Sequence, residues 1–322
     1  MGTGTDIDNL FAALASAAGF DARPASSSDR SDAFFDPKFP DPYFLNTRNI
    51  AIRLNDKWTF YDPANRYVPF GMLRWQEEGV AALVGDPGEA VLMATPVTPA
   101  SDSKIVRNGK FQLSENGTLE GTVKVAYLGH QMEVRRAEHH RESLEKRKKE
   151  IEEDVARRLP GAEVTTVDIE HPDGVEPLIY TYHVKVPGYA QRTGKRLFIA
   201  PAFFQRNTVQ RFPNSERLYD LYFDFAWSEQ DNVEIDLPEG YTLDHPDAPA
   251  GIDGSKLFQY HVRMQIRNKK TLVYQREMAF DSVLIPVKFY PQIKTLFDAQ
   301  FKSDEHLITL KSDAPSGGLQ PQ

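Results

Sequence analysis

The alternation of apolar and polar positions divides the chain before any other property is considered. Between residues 46 and 63, two runs of two-residue period, Ile50-Ala51-Ile52-Arg53-Leu54 and Trp58-Thr59-Phe60-Tyr61, flank Asn55-Asp56. That dipeptide tolerates the left-handed backbone of a tight turn, so the stretch predicts a β-hairpin. It ends at Asp62-Pro63, because proline has no N–H to give to a ladder. Upstream, Leu10, Phe11, Leu14 and Ala17-Ala18 recur at helical spacing behind Asp8 as an N-cap candidate, with Gly19 as the stop, and predict a short buried helix. Residues 20–25 read as a strand, 26–42 as a polar loop and 81–84 as a short apolar strand.

Residues 95–103, TPVTPASDS, form a proline- and serine-rich connector and the first boundary. Beyond it, residues 110–113 and 118–127 alternate across Glu115-Asn116-Gly117, a strong hairpin signal. Residues 133–159 are crowded with charges of both signs. Ala137, Leu144, Ile151, Val155 and Leu159 make a narrow apolar stripe there, which predicts a single amphipathic helix stopped by Pro160-Gly161. Glu142 with Lys146, Glu145 with Lys149 and Glu153 with Arg157 have the spacing of favourable ion pairs on it. Strands at 163–169, 178–186 and 195–200 complete a ββαβββ unit, a helix laid on an antiparallel sheet. From 217 to 284 further alternating runs, with a turn at Pro238-Glu239-Gly240, predict an antiparallel, sandwich-like sheet. A helix over 290–301 and an edge strand over 307–310 follow, and 314–322, APSGGLQPQ, has the composition of a disordered tail. The predicted class is α+β, in four parts: 1–94, 95–204, 205–312 and 313–322.

Composition narrows the function classes. A hydrophobic share of 40% and an aromatic share of 11% suffice for packed cores. With 46 acidic against 38 basic residues and a net charge of -8, there is no cationic excess to replace counterions, which excludes a nucleic-acid partner held through its phosphates. The chain contains no cysteine, which excludes disulfides, thiolate metal sites and thiol nucleophiles. His139-His140 are adjacent, so they face different sides of a helix, and no spaced histidine follows; neither a metal nor a cofactor is expected. Balancing glutamates make the arginines and lysines of 135–149 a solvated helix face. No apolar run approaches the ~20 residues of a transmembrane helix. The MGTGTDID start lacks the pattern of a secretory signal, so the chain alone reads as cytoplasmic.

The ordered segments LFAALASAAG, FDARPA, WTFYDP and VPFGMLRWQEEG resemble the second half of a bacterial transglutaminase-like domain, of the papain-like superfamily. GTLEG, VPGYAQRTGKRLFIAP, LPEGY and FYPQIKTLFDAQFKSDEHLITLK are similar to the part that follows it in large bacterial proteins of that group. The resemblance implies a cysteine nucleophile at the start of the first helix, a histidine base before the first hairpin strand and an orienting aspartate after the second. The matching positions here are Gly4, Thr47 and Asp62, so only the carboxylate is retained. The implication is a noncatalytic binding or scaffold protein with a protein or peptide partner, in the periplasm or cell envelope, whose Met1 lies inside a longer gene. The alternative is a hydrolase or transferase using carboxylates, with Asp62, Glu77 and Glu78 as candidates. Read from the residues alone, Asp62 caps the turn with Pro63 and Asn65, and Trp58, Phe60 and Trp75 fill a core. Thr3 and Thr5 have no histidine nearby in the sequence to activate a hydroxyl.

Overall fold

The computed structural model describes residues 2–33, 35–85, 88, 90–244 and 247–312; the predicted tail at 314–322 lies outside them. Helix α1 (Gly4–Ala17) begins earlier than apolar spacing predicts, because Thr3 and not Asp8 caps it. The Thr3 hydroxyl accepts from the Asp6 N–H at 3.3 Å, while the Asp6 carboxylate accepts from the Thr3 N–H at 2.7 Å, a reciprocal capping box. The expected buried helix is only half covered. Phe11, Ala12 and Ala15 pack on Ile50, Ile52 and Tyr61, whereas Leu10 and Leu14 are 60% and 61% exposed.

Strands β1 (Asp21–Ser27), β2 (Thr47–Leu54), β3 (Lys57–Tyr61), β4 (Ala81–Val84) and β5 (Val91–Ala94) form a sheet in the order β3-β2-β1-β4-β5. The β2–β3 hairpin turns on Asn55 and Asp56, both at positive φ, as their side chains allow. β2 is covered on both faces, Ile50 and Ile52 toward α1 and Ala51 toward Phe60, Leu73 and Val84. The connector after β5 is clamped: the Ala100 N–H donates to Asp281 at 3.1 Å, and the Ser228 hydroxyl to the Ala100 carbonyl at 2.8 Å.

Strands β6 (Lys104–Leu113) and β7 (Leu119–Tyr127) pair across Asn116-Gly117. The predicted single charged helix is two: α2 (His130–His139) and α3 (Leu144–Arg158). Ser143 starts the second by accepting from the Lys146 N–H at 3.2 Å. The break leaves Ala137 and Leu144 exposed, while Val155 and Leu159 enter the core. β8 (Glu163–Glu170), β9 (Leu178–Val186), β10 (Gln191–Thr193) and β11 (Arg196–Ile199) follow.

The alternation over 217–227 does not make a long strand. Only β12 (Leu221–Tyr222) forms there, and Leu218 and Tyr219 are exposed, since no neighbouring strand reaches them. Then come β13 (Trp227–Asp236), β14 (Tyr241–Leu243), β15 (Ile252–Gly254), β16 (Phe258–Arg267), β17 (Thr271–Phe280), β18 (Leu284–Ile285), α4 (Tyr290–Asp304) and β19 (Ile308–Ser312). The molecule is α+β, and its largest sheet has eight strands in the order β15-β16-β17-β13-β6-β7-β9-β8. β13 lies parallel to β6, so strands from both sides of residue 204 share one hydrogen-bonded sheet. β19, expected at an edge, sits between β11 and β14. Phe258, Phe280 and Trp227 bury the inner face of α4 through Phe297.

Arg107, Asp231 and Arg276 stand opposite one another on three neighbouring strands. Arg276, 1% exposed, donates to both oxygens of Asp304 at 2.8 and 3.0 Å and to Glu229 at 2.9 Å. Arg107 donates to Asp231 at 2.6 Å and to Glu229 at 2.5 Å. Burial would raise the Glu229 carboxyl, but the two guanidiniums outweigh it and pull it down to about 2. Asp304→Ala would leave Nε and Nη2 of the buried Arg276 without an acceptor, at a cost of about 1–3 kcal/mol for each orphaned group. Urea unfolding followed by tryptophan fluorescence should show that loss.

Candidate functional site

The turn after β3 and the start of α1 enclose a cleft of about 400 Å³, lined by Gly4, Thr5, Asp8, Arg48, Asp62 and Arg74 among others. Two of the three positions singled out from the sequence, Gly4 and Asp62, therefore face one space. Gly4 brings no functional group to it, and even a methyl there would meet the Ala64 side chain at 3.3 Å. Thr47 begins β2 opposite Ser27, and its hydroxyl is 2.7 Å from the Ser27 hydroxyl and donates to the Ser27 carbonyl at 3.0 Å.

Asp62 is 7% exposed and accepts from Arg74 Nε at 2.9 Å. The Asn65 N–H donates to the Asp62 backbone carbonyl at 3.3 Å, closing the turn after β3. Burial raises the Asp62 pKa, against the pull of Arg74. The other arm of Arg74 donates to Glu77 Oε1 at 2.5 Å. Glu77 is fully buried, and burial lifts its carboxyl to about 7, with Arg74 opposing and the charge of Asp62 adding to the rise. Asp8 is buried beside them and is likewise raised, first by burial and then by Asp62.

Glu78 does not join this group. Its side chain turns the other way, accepting from the Thr98 N–H at 3.1 Å and lying 3.0 Å from His130 Nε2. The candidate trio Asp62, Glu77 and Glu78 is thus divided, and its most acid-poised member is sealed from solvent. A paired-carboxylate hydrolysis needs both groups at the substrate. Phe60 is in the core with Trp58 against it, and Trp75 lies under the Arg30 guanidinium at 5.2 Å; none of the three aromatics lines the cleft.

His130 is the residue that sequence reasoning missed. It opens α2 behind Gly129, whose φ of 58° and whose approach to the Asp102 carbonyl, 2.2 Å from where a Cβ would stand, admit only glycine. The imidazole is fully buried, stacked 5.3 Å from Phe225, with Glu133 3.7 Å from Nδ1. Burial alone would lower its pKa, but Glu133 and Glu78 outweigh that and hold it above the usual histidine value. Its partner is Glu78, not Asp62, so the histidine serves the junction between the first sheet and α2. Arg30 adds to that junction, donating to the carbonyls of Phe223, at 3.0 Å, and Asp224. The helix spacing around His130 carries no sign of this, because the carboxylate it meets comes from residue 78.

His140 Nδ1 meets the Ala137 carbonyl at 2.7 Å, while His139 Nδ1 meets Glu142 at 2.7 Å and Glu150 at 3.2 Å, a cluster the adjacent-histidine argument did not foresee. Lys146 also sits between those two glutamates. No helix among the described residues is long and apolar enough to cross a membrane.

Residues 195–310 match the family described as DUF3858, a domain of unknown function with a solved structure. A search of functionally curated proteins returns no match. Among solved structures, a Parabacteroides distasonis protein described as a candidate protease is similar, with a TM-score of 0.48, 10% identity, and coverage of 96% of this chain and 44% of that one. The chain spans less than half the length of that protein.

A carboxyl raised in the folded state destabilises as pH climbs. Below about pH 4.5 Glu77 is protonated folded and unfolded alike; between there and about 7 the unfolded chain releases its proton first, and stability falls. Glu77→Gln removes this penalty. Urea melts of the variant and the parent should diverge in the variant's favour by about 3 kcal/mol between roughly pH 5 and pH 8.

Proposed function

We propose that this chain is a noncatalytic binding or scaffold protein, with a transglutaminase-like frame in its first 94 residues whose site is now a structural ion-pair network. The observation that carries this reading is the pairing of Asp62 with Arg74. Acyl transfer through a thiol needs a nucleophile, a base and a group that orients the base. Gly4 supplies no nucleophile, the Thr47 hydroxyl is bonded to Ser27, and Asp62 is held by a guanidinium that stays protonated near neutral pH and so cannot serve as a base.

Support for a binding role comes from the other side of the same hairpin. Leu14, Phe20 and Phe70 are exposed and, with Phe11, Leu54 and Tyr61, line a groove of about 570 Å³. Contiguous apolar surface of this kind marks interaction sites more often than bare solvent-facing surface. A protein or peptide partner suits it. A location in the bacterial envelope belongs to the same proposal and rests on the sequence resemblance.

Purified protein should incorporate no primary amine into, and release no ammonia from, a glutamine-containing peptide. Activity would require at least Gly4→Cys together with Thr47→His; incorporation by the unaltered chain would overturn the proposal. Fluorescence of an apolar surface dye should fall in Leu14→Glu and in Phe70→Ser with the melting temperature little changed, because both side chains are already in water.

A further inference from the structure

Helices α2 and α3 lie over β7 and β9, and a cavity of about 450 Å³ opens between them, within the size range of small-molecule sites. Tyr127, Tyr180 and Val155 line it together with two arginines, Arg135 from α2 and Arg147 from α3. Arg135 is stacked on the Tyr127 ring at 4.1 Å, and its Nε is buried without a hydrogen-bond partner. Arg147 is 8% exposed; one arm donates to the Pro172 carbonyl at 3.2 Å, and its Nε is likewise buried and unpartnered.

The arginines and carboxylates lining this cavity are equal in number, three of each, but they do not all pair with one another. The acidic groups at its rim lie against other cations: Glu150 Oε1 against Lys146 at 3.4 Å, its Oε2 3.2 Å from His139 but buried without a hydrogen bond, Glu153 against Lys149 at 3.5 Å, and Asp154 against Arg157 at 2.9 Å. Arg135 and Arg147 are left without an ion-pair partner among the described residues. Buried guanidiniums are ordinarily paired, because an uncompensated charge away from water is costly. Burial also pushes the Tyr180 and Tyr182 hydroxyls up to about 12, so at neutral pH they remain protonated donors.

We infer that this cavity binds a small organic oxyanion, its carboxylate or phosphate head between Arg135 and Arg147 and its apolar or aromatic body against Tyr127, Tyr180 and Val155. The stacking of Arg135 on Tyr127 fixes its planar fork in advance, which lowers the entropy lost on pairing with the head group. The site is built from other elements than the Asp62 cleft, so its fate is independent of that reading.

Isothermal titration with benzoate, phenyl phosphate and inorganic phosphate tests this on the whole chain. At least one organic anion should bind saturably and more tightly than inorganic phosphate, and its identity tells a carboxylate head from a phosphate one. Arg135→Gln and Arg147→Gln should each weaken that binding by about tenfold or more, the loss expected for a charge-assisted hydrogen bond. Arg267→Gln, on β16 and paired with Glu234 away from the cavity, should leave it within about twofold. Arg147 also holds the Pro172 carbonyl; if its variant does not fold, Arg135→Gln decides, since Arg135 ties down no backbone carbonyl. Absence of saturable binding for both organic anions, affinity unchanged in Arg135→Gln, or inorganic phosphate binding as tightly as phenyl phosphate would each overturn the inference.

Discussion

The row Arg107–Asp231–Arg276 fixes how the two halves of the large sheet meet. β6 and β13 are parallel neighbours, although more than a hundred residues separate them in the chain, and no hairpin sets their register. A slip of one residue would move Asp231 to the opposite face and strand both arginines without it. Asp304 extends the same network into α4, with Tyr260 donating to it at 2.8 Å. Gln205 joins from the loop after β11, donating to Asp231 at 3.0 Å. Buried ion pairs of this kind add little net stability compared with apolar packing, and their effect falls on uniqueness of pairing. Helix, loop and four strands are thereby held to one arrangement.

The first sheet is joined to the large one by the same kind of interaction at smaller scale. Glu78 reaches Thr98 in the connector and His130 on α2, and Arg30 reaches the loop before β13. These contacts use a glutamate next in sequence to Glu77, which belongs to the Asp62 cleft. One short segment, residues 74–78, therefore anchors the cleft through Arg74 and Glu77 and the junction through Glu78. A carboxylate in such a position is fixed by its partners. The cleft keeps its shape through ion pairing, while the exposed apolar residues of α1 and the hairpin lie on a separate surface.

The charged helices illustrate a different division of labour. Most of their ionic groups pair along the helix surface, as Lys146 does with Glu142 and Glu150. Arg136 instead turns inward and donates to the carbonyls of His171, Gly174 and Glu176, clamping the loop between β8 and β9. The arginine- and tyrosine-lined cavity lies between these two helices and the strands β7 and β9 beneath them.

Local periodicity by itself determined the hairpins and the last helix. Asn55-Asp56 and Asn116-Gly117 name their turns because few other residues tolerate the backbone those turns require, and Ile293 and Phe297 mark the buried face of α4 through a repeat that needs no distant partner. That Gly4 carries no side chain and Thr47 no titrating nitrogen is likewise plain in the sequence, since these are matters of side-chain inventory. What only the tertiary structure decided are the relations between segments far apart in the chain: the parallel pairing of β6 with β13, the place of β19 inside a sheet, the meeting of Glu78 with His130, and the capture of Asp62 by Arg74. A period of two reports that a strand has an inner face; it carries no information about which strand lies alongside. A carboxylate reads the same in sequence whether an imidazole or a guanidinium stands in front of it; only the fold, by bringing residue 74 against residue 62, puts the Arg74 guanidinium there.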